Sequence, residues 1–346
     1  MKDYVKMYQS LDEKNNQEIK KRIKNLQESG KYPTKILYPI TLQFELTGAC
    51  NLACKHCYNR SGDKDRKTLM TPDKWCNLAH EIVNDGGIFQ CIISGGEPLI
   101  LGDRLFDIMD ILHDDGTSFV VISNGFLLTK EYVKKFAKYR FFWFQISIDG
   151  VTASIHDEFR GVKGSWERAT LGALEISQAG IPLVIAHSVT PQNLNHLEDM
   201  VKFSYQLGAT EIIMGEIMPS GRAIENKDII LTAEQRNQLY GQITYLGEKY
   251  QGKIAVRRAA GLKTQMDRYV TEINAGGIIR PNGDFRLDCM APFVIGNVLE
   301  SPLKEIWLQK GIDAWHTEQV KEFIKNIDAN QQASNIRNHV DNDIML

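Results

Sequence analysis

Six short β-rich runs, separated by stretches of helical pattern, constrain this chain more than any other feature. They read TLQFEL at 41–46, FQCIIS at 89–94, SFVVIS at 118–123, FFWFQISI at 141–148, PLVIAHSV at 182–189 and EIIMGEI at 211–217. Strands that alternate with helices imply βα units and a parallel sheet. The first intervening helix marks its own start. Thr71 is placed to cap it, Pro72 takes the first helical position, and WCNLAHEIV carries an apolar face before residues 84–87 end it. Comparable helical units follow at about 103–113, 129–138, 165–179 and 194–207. The simplest α/β architecture that joins them is an open, partial parallel (β/α)6 barrel.

The flanks read differently. Residues 1–36 are polar and helix-permissive, a helical N-terminal extension that Gly30 and Pro33 bring to a close. After the barrel, taken as 37–230, a helix is expected at about 232–250. The regular βα rhythm then stops. Residues 253–300 hold glycine-rich turns and short strands, with Pro281-Asn282-Gly283 as a hairpin signal. Helices near 302–309 and 311–326 complete a small, separate α+β appendage over 231–328, and 329–346 is a polar tail, disordered or loosely docked.

Composition narrows the classes. Hydrophobic residues at 43% and charged residues at 24% are ordinary for a globular chain, and 346 residues can bury a large core. The net charge is −2, and the basic residues cluster only at Lys20, Lys21, Arg22 and Lys24, so the electrostatic footprint of a nucleic-acid binder is missing. No run reaches the roughly 18 apolar residues of a membrane span, and no signal-like segment opens the chain. A cytoplasmic protein is expected, with no membrane or nucleic-acid partner. In that compartment, closely spaced cysteines serve as ligands or reactive thiols more often than as disulfides.

Three of the six cysteines fall within CNLACKHC at 50–57, directly after the first β-rich run. Soft thiolates suit zinc or an iron–sulfur cluster. A structural zinc site needs four ligands, and no fourth stands near at suitable spacing; His56 is adjacent to Cys57 and poorly placed to join. A four-iron cluster on three cysteines leaves one iron open. Downstream, SGGEP at 94–98 ends the second run, where Gly95 and Gly96 permit close backbone approach. SNG at 123–125 and SIDG at 147–150 end the third and fourth, and active sites of such folds form at these strand ends.

CNLACKHC resembles the signature of radical S-adenosylmethionine enzymes, and the likeness runs over roughly 40–225 with a weaker tail to about 310. The resemblance implies one [4Fe-4S] cluster on Cys50, Cys54 and Cys57, with S-adenosylmethionine on the fourth iron and cleaved to a deoxyadenosyl radical. It implies that Glu97 accepts a hydrogen bond from the methionyl amine, and that Ser123, Asn124, Ser147 and Asp149 bind ribose and methionyl groups. Arg160, in HDEFRG, is similar to the arginine that pairs with the methionyl carboxylate, His56 to the residue lining the adenine, and MPSGRA at 218–223, beginning at Met218, to the loop that closes on it. A flavodoxin or ferredoxin is implied as electron donor.

Residues 274–307 resemble the SPASM/twitch-like extension of peptide-modifying members, in which further cysteines bind auxiliary clusters. Here that framework is degenerate: Asn274 or Ala275 stands where a cysteine is expected, and none follows Cys289. Cys76 and Cys91 read as small apolar residues of a helix and a strand. Cys289 is then either a relic of a lost ligand set or a hydrogen-atom donor. The second role implies an enzyme that epimerises L-residues of a ribosomally made precursor peptide to D. Peptide cross-linking through a C–C or thioether bond, a small-molecule dehydrogenase and a non-catalytic iron–sulfur carrier are the alternatives.

Overall fold

The computed structural model describes residues 21–22, 24–31, 33–63, 68–327 and 343–346. Among these, one sheet organises the chain. Strands β1 (Thr41–Glu45), β2 (Gln90–Ser94), β3 (Ser118–Ser123), β4 (Phe141–Ser147), β5 (Leu183–Val189) and β6 (Glu211–Glu216) lie side by side in sequence order and all parallel. A seventh parallel strand, β7 (Ala255–Arg258), pairs with β6 beyond the six expected. The sheet stays open, because β1 turns its other edge to β8 (Gly276–Ile279).

Helices α1 (Pro72–Asn84), α2 (Arg104–Asp114), α3 (Lys130–Phe136), α4 (Ala153–Arg160), α5 (Ser165–Gln178) and α6 (Leu197–Gln206) form the crossovers. In α1 the Thr71 side chain accepts the amide of Lys74, and Trp75, Leu78, Ala79 and Ile82 point inward at helical spacing. Burying each large side chain of that set contributes about 1.5–3 kcal/mol. The Trp75 indole also donates to the Leu46 carbonyl at 3.1 Å, which pins the helix to the chain leaving β1. The long α7 (Ala233–Lys249) starts in a capping box between Thr232 and Gln235. The central strands are buried on both faces, which is why they read as continuous apolar runs.

The strands expected of a separate C-terminal module instead continue the barrel sheet. After β7 and α8 (Leu262–Thr271), β8 runs parallel to β1, and the hairpin at 281–283 returns the chain as antiparallel β9 (Asp284–Arg286), followed by β10 (Phe293–Asn297). Gly276 is required for this seam, since a Cβ there would stand 1.6 Å from the Thr41 carbonyl oxygen. The helices foreseen at 302–309 and 311–326 are more broken: α9 (Leu303–Ile306) widens into a π-turn over Trp307–Gly311, and α10 (Glu318–Lys325) follows a 3-10 turn at Ala314–His316.

At the N-terminus, 21–22 and 24–28 are helical, while the rest of the expected extension up to residue 20 lies outside the described residues. The last residue of the expected appendage, 328, and 329–342 of the expected polar tail likewise lie outside them. The end of that tail is not loose: β11 (Ile344–Met345) pairs parallel to β10. Among the described residues no helix is long and apolar enough to cross a membrane.

Candidate active site

The C-terminal ends of β1 to β6 meet on one rim, where Glu45 lies opposite Ser94, Ser147 opposite Ala186, and Val189 opposite Glu216. The loop leaving β1 at this rim carries all three clustered cysteines, and each sulfur has an N–H donor aimed at it. Asn124 Nδ2 stands 3.9 Å from Cys50 Sγ, Arg160 Nη1 3.7 Å from Cys54 Sγ, and the Ser61 amide 3.4 Å from Cys57 Sγ. Burial pushes the Cys50 thiol up to about 12 and raises that of Cys54 despite the nearby Arg160 guanidinium. Thiols held so high lose their protons when they bind metal. Three donors on three sulfurs, with the buried Asn51 Nδ2 and His56 Nδ1 unpartnered in the same loop, fit an iron–sulfur cluster. No three His, Cys, Asp or Glu side chains among the described residues converge as they would on a single ion.

SGGEP forms the floor of the loop. The Gly96 amide donates to Thr47 O at 2.7 Å and the Glu97 amide to Ala49 O at 2.9 Å, and a Cβ on Gly96 would lie 1.9 Å from the Ala49 oxygen. Gly95, with φ +138°, makes the preceding bend. Glu97 is wholly buried. Its carboxylate accepts Ser123 Oγ and the Asn124 amide, both at 2.8 Å, and the Leu99 amide at 3.2 Å. Burial lifts Glu97 to about 7, and these bonds oppose the shift. Three of about four acceptor positions are thus filled by the protein. Asn124 also donates to Asn51 Oδ1 at 2.9 Å, so SNG holds the cysteine loop as well as Glu97.

Arg160 has close partners within the protein. It ends α4, a helix absent from the sequence-based assignment, and its fork is already occupied: Nε and Nη2 meet Asp149 Oδ2 at 2.6 and 2.5 Å. The other Asp149 oxygen accepts the Ser188 amide at 2.7 Å. Although burial opposes ionisation, the Arg160 guanidinium holds the Asp149 carboxyl at about 2. With its third nitrogen at Cys54, Arg160 ties the SIDG turn to the cysteine loop. The end of α4 grips the same loop through its backbone, as the Ala53 amide donates to Arg160 O at 3.1 Å and the Lys55 amide to Phe159 O at 3.0 Å.

His56 stacks on Phe159 with centroids 4.4 Å apart, and burial followed by the Arg160 charge lowers it to about 3, so the imidazole is neutral. Ser147 closes β4 on the rim. Met218 lines a small open cleft together with Glu216, Tyr240, Arg258, Leu262 and Met290. That cleft connects the MPSGRA loop with the neighbour of Cys289. Cys289 is partly exposed, and desolvation, then the charges of Asp288 and Glu45, pushes its thiol well above the ordinary range, so it stays protonated at neutral pH. The charge of a Cys289 thiolate would be felt at Tyr58, immediately after the cysteine motif. Of the other two cysteines, Cys91 is fully buried and Cys76 only partly.

Several residues of the site were given no role by the sequence reading, although Arg222 lies within MPSGRA. Arg222 donates to Cys54 O at 2.9 Å and Ser61 O at 3.1 Å and pairs with Asp63 at 2.7 Å, clamping the cysteine loop from the MPSGRA side. Glu45 accepts Tyr58 Oη at 3.1 Å and Asn59 Nδ2 at 3.3 Å, and Arg280 of the appendage reaches Asn59 Oδ1 at 3.1 Å.

Comparison with known proteins agrees with this geometry. The Radical SAM superfamily model matches residues 44–204, from β1 into α6. The chain carries a radical SAM domain. It is similar to the mycofactocin maturase MftC of Mycolicibacterium smegmatis, 35% identical over 215 residues, or 61% of this chain and 53% of that protein. The chain thus spans about half the length of that relative. It is also similar to the AdoMet-dependent heme synthase of Methanosarcina barkeri, 26% identical over 78% of this chain and 82% of the other. Streptococcus suis SuiB, solved bound to S-adenosylmethionine, superposes with a TM-score of 0.65 over 90% of this chain and 72% of that one; at 16% identity this is a likeness of fold.

Proposed function

We propose that this chain is a radical S-adenosylmethionine enzyme that modifies a ribosomally made peptide. The observation that carries the reading is the set of three rim cysteines, each under its own N–H donor. In this reading Cys50, Cys54 and Cys57 hold one [4Fe-4S] cluster, the remaining acceptor position of Glu97 takes the methionyl amine, and His56 and Met218 lie towards the adenine. What the bound group supplies is one-electron cleavage of S-adenosylmethionine and hydrogen-atom abstraction from the substrate, with a flavodoxin- or ferredoxin-type protein as electron donor. The protein's own residues fix the loop: Asn124, Arg160 and Arg222 hold it in register, and Glu97 orients the ligand amine.

The likeness to a maturase supports a peptide substrate. The surroundings of Cys289 support L-to-D epimerisation in particular. Its protonated thiol can give a hydrogen atom to a substrate α-carbon radical: the S–H bond breaks, a C–H bond forms, and one electron and one proton from the reductant and solvent restore the thiol. Cross-linking through a C–C or thioether bond fits the same class, and the likeness to peptide-maturing relatives, a peptide cyclase among them, favours this alternative over epimerisation. The heme synthase likeness, longer in its coverage, favours a second reading with a small-molecule substrate.

The test is anaerobic reconstitution followed by incubation with S-adenosylmethionine, dithionite and a candidate precursor peptide. Deoxyadenosine formation, lost in the triple alanine variant of Cys50, Cys54 and Cys57, is expected. Epimerisation leaves peptide mass unchanged, whereas a cross-link removes two hydrogens. Cleavage that persists in the triple variant overturns the assignment.

A further inference from the structure

Beside the cysteine loop, on the appendage side, two arginines are buried close together. Arg280 is 2% and Arg286 1% exposed. Arg280 faces Glu45 at 3.6 Å, which balances one charge. The second is balanced from far along the chain: Asp343 reaches Arg280 Nη1 at 2.8 Å and Arg286 Nη1 at 2.7 Å. Without Asp343 a buried positive charge is left over, which is strongly unfavourable. The seat therefore demands an anion.

Asp343 fills that seat imperfectly. Arg286 Nη1 and Nη2 and Asp343 Oδ1 make no aligned hydrogen bond despite their proximity. A guanidinium and a carboxylate that meet properly do so through paired, in-plane bonds. The segment behind Asp343 is held chiefly by its backbone, with the Ile344 amide donating to Pro292 O at 2.6 Å and the Leu346 amide to Val294 O at 2.9 Å. Ile344 and Met345 leave 37% and 59% of their surfaces exposed, and only Leu346 of the segment packs against the core, partly buried. An extended segment on the free edge of β10 with one acidic side chain turned inward is the geometry of a peptide docked by strand addition. The seat adjoins the reaction side, because Arg286 senses the charge of Cys289, and Arg280 shares Glu45 with Tyr58 and Asn59.

We propose that Arg280, Arg286 and the edge of β10 form a docking seat for an extended peptide bearing an acidic side chain, and that Asp343–Leu346 occupies it as a stand-in. The proposal rests on the peptide reading above and specifies the kind of peptide. An attached stand-in competes at an effective concentration on the order of millimolar, so a free peptide binds the intact chain weakly.

The test uses the full-length protein and a fluorescein-labelled peptide of sequence VDNDIML, residues 340–346, followed by anisotropy. The double variant Asp343→Ala/Ile344→Pro removes the inward charge and the first backbone donor. It should bind the peptide at least ten-fold more tightly than wild type. Adding Arg286→Gln, or replacing the peptide residue equivalent to Asp343 by Asn, should weaken binding by about ten- to hundred-fold, the loss of a charge-assisted contact. Asp343→Ala alone keeps the strand's backbone donors and serves if the double variant misfolds; it should also bind the peptide more tightly than wild type. Equal binding by wild type and the opened variants, or indifference to Arg286→Gln and to the Asn peptide, overturns the seat. Since binding is read without S-adenosylmethionine, a chain that cleaves the cofactor but ignores the peptide refutes the seat alone. One that binds the peptide but never cleaves the cofactor refutes the radical reading.

Discussion

Arg160→Gln tests the link between the SIDG turn and the cysteine loop. The side chain is 8% exposed, and that of its partner Asp149 is fully buried. Asp149 is held near 2 against an ordinary value of 3.8. That difference corresponds to about 2 kcal/mol of favourable interaction with the ionised form, at about 1.4 kcal/mol per unit. Removing the arginine costs more than this, because it strands a buried carboxylate; breaking such a pair costs about 3–5 kcal/mol. The pH dependence gives a second readout. In wild type the depressed carboxyl contributes stability that is present above its unfolded value of 3.8 and is lost as pH falls towards 2. In the variant, burial without a counter-charge raises Asp149, so the variant gains stability as pH falls and the gap between the two proteins narrows from pH 8 to pH 5. Urea denaturation of the anaerobic apoprotein measures both, and iron per chain after reconstitution should drop as well. A loss under about 1 kcal/mol that does not vary with pH, together with full cluster loading, would refute the pairing and the clamp with it.

Two further outcomes follow from the site. Gly96→Ala places a Cβ against the Ala49 carbonyl, so it should cost about 1–3 kcal/mol and lower iron content, read by denaturation and iron analysis; a fully loaded, equally stable variant would mean the floor of the loop is less tight than described. Cys289→Ala should still yield deoxyadenosine but no D-residue, and in deuterated water only the wild type should add one deuterium per converted residue; normal product from the variant removes Cys289 from the chemistry.

How much of this was legible in the sequence depended on the range over which each feature acts. Parallel strands buried on both faces advertise themselves as apolar runs, and TLQFEL and SFVVIS coincide with β1 and β3 to within a residue. The helix start at Thr71 and the turn at 281–283 were equally local, decided by caps and by proline and glycine. The short α4 was not, because only eight residues long it buries His156, Phe159 and Arg160, two of them polar, and so prints no apolar stripe; Phe159 joins a small cluster with Ile217, Ala223 and Ile229. The weak β7 has an edge position and an exposed half, and so lacks the apolar run that marked its neighbours.

The site divides along the same line. Motif spacing singled out Cys50, Cys54, Cys57, Gly96 and Glu97, which the structure brings together on one rim, since each motif is built from consecutive residues at a strand end. It could not assign partners to Arg160, whose fork looks free in sequence and is closed in space by a carboxylate eleven residues earlier. Still less could it find the Arg280 network, which joins residues 221 positions apart at Asn59 and 63 apart at Asp343. These contacts exist because β8 adds to β1 and carries the appendage against the cysteine loop. The glycine pair at 276–277 that permits the seam is visible in sequence, but only the sheet shows which strand it admits. The appendage therefore acts on the site: through Arg280 it helps fix the residues that follow Cys57, so a change at Arg280 should disturb the cysteine loop although the two are remote in sequence.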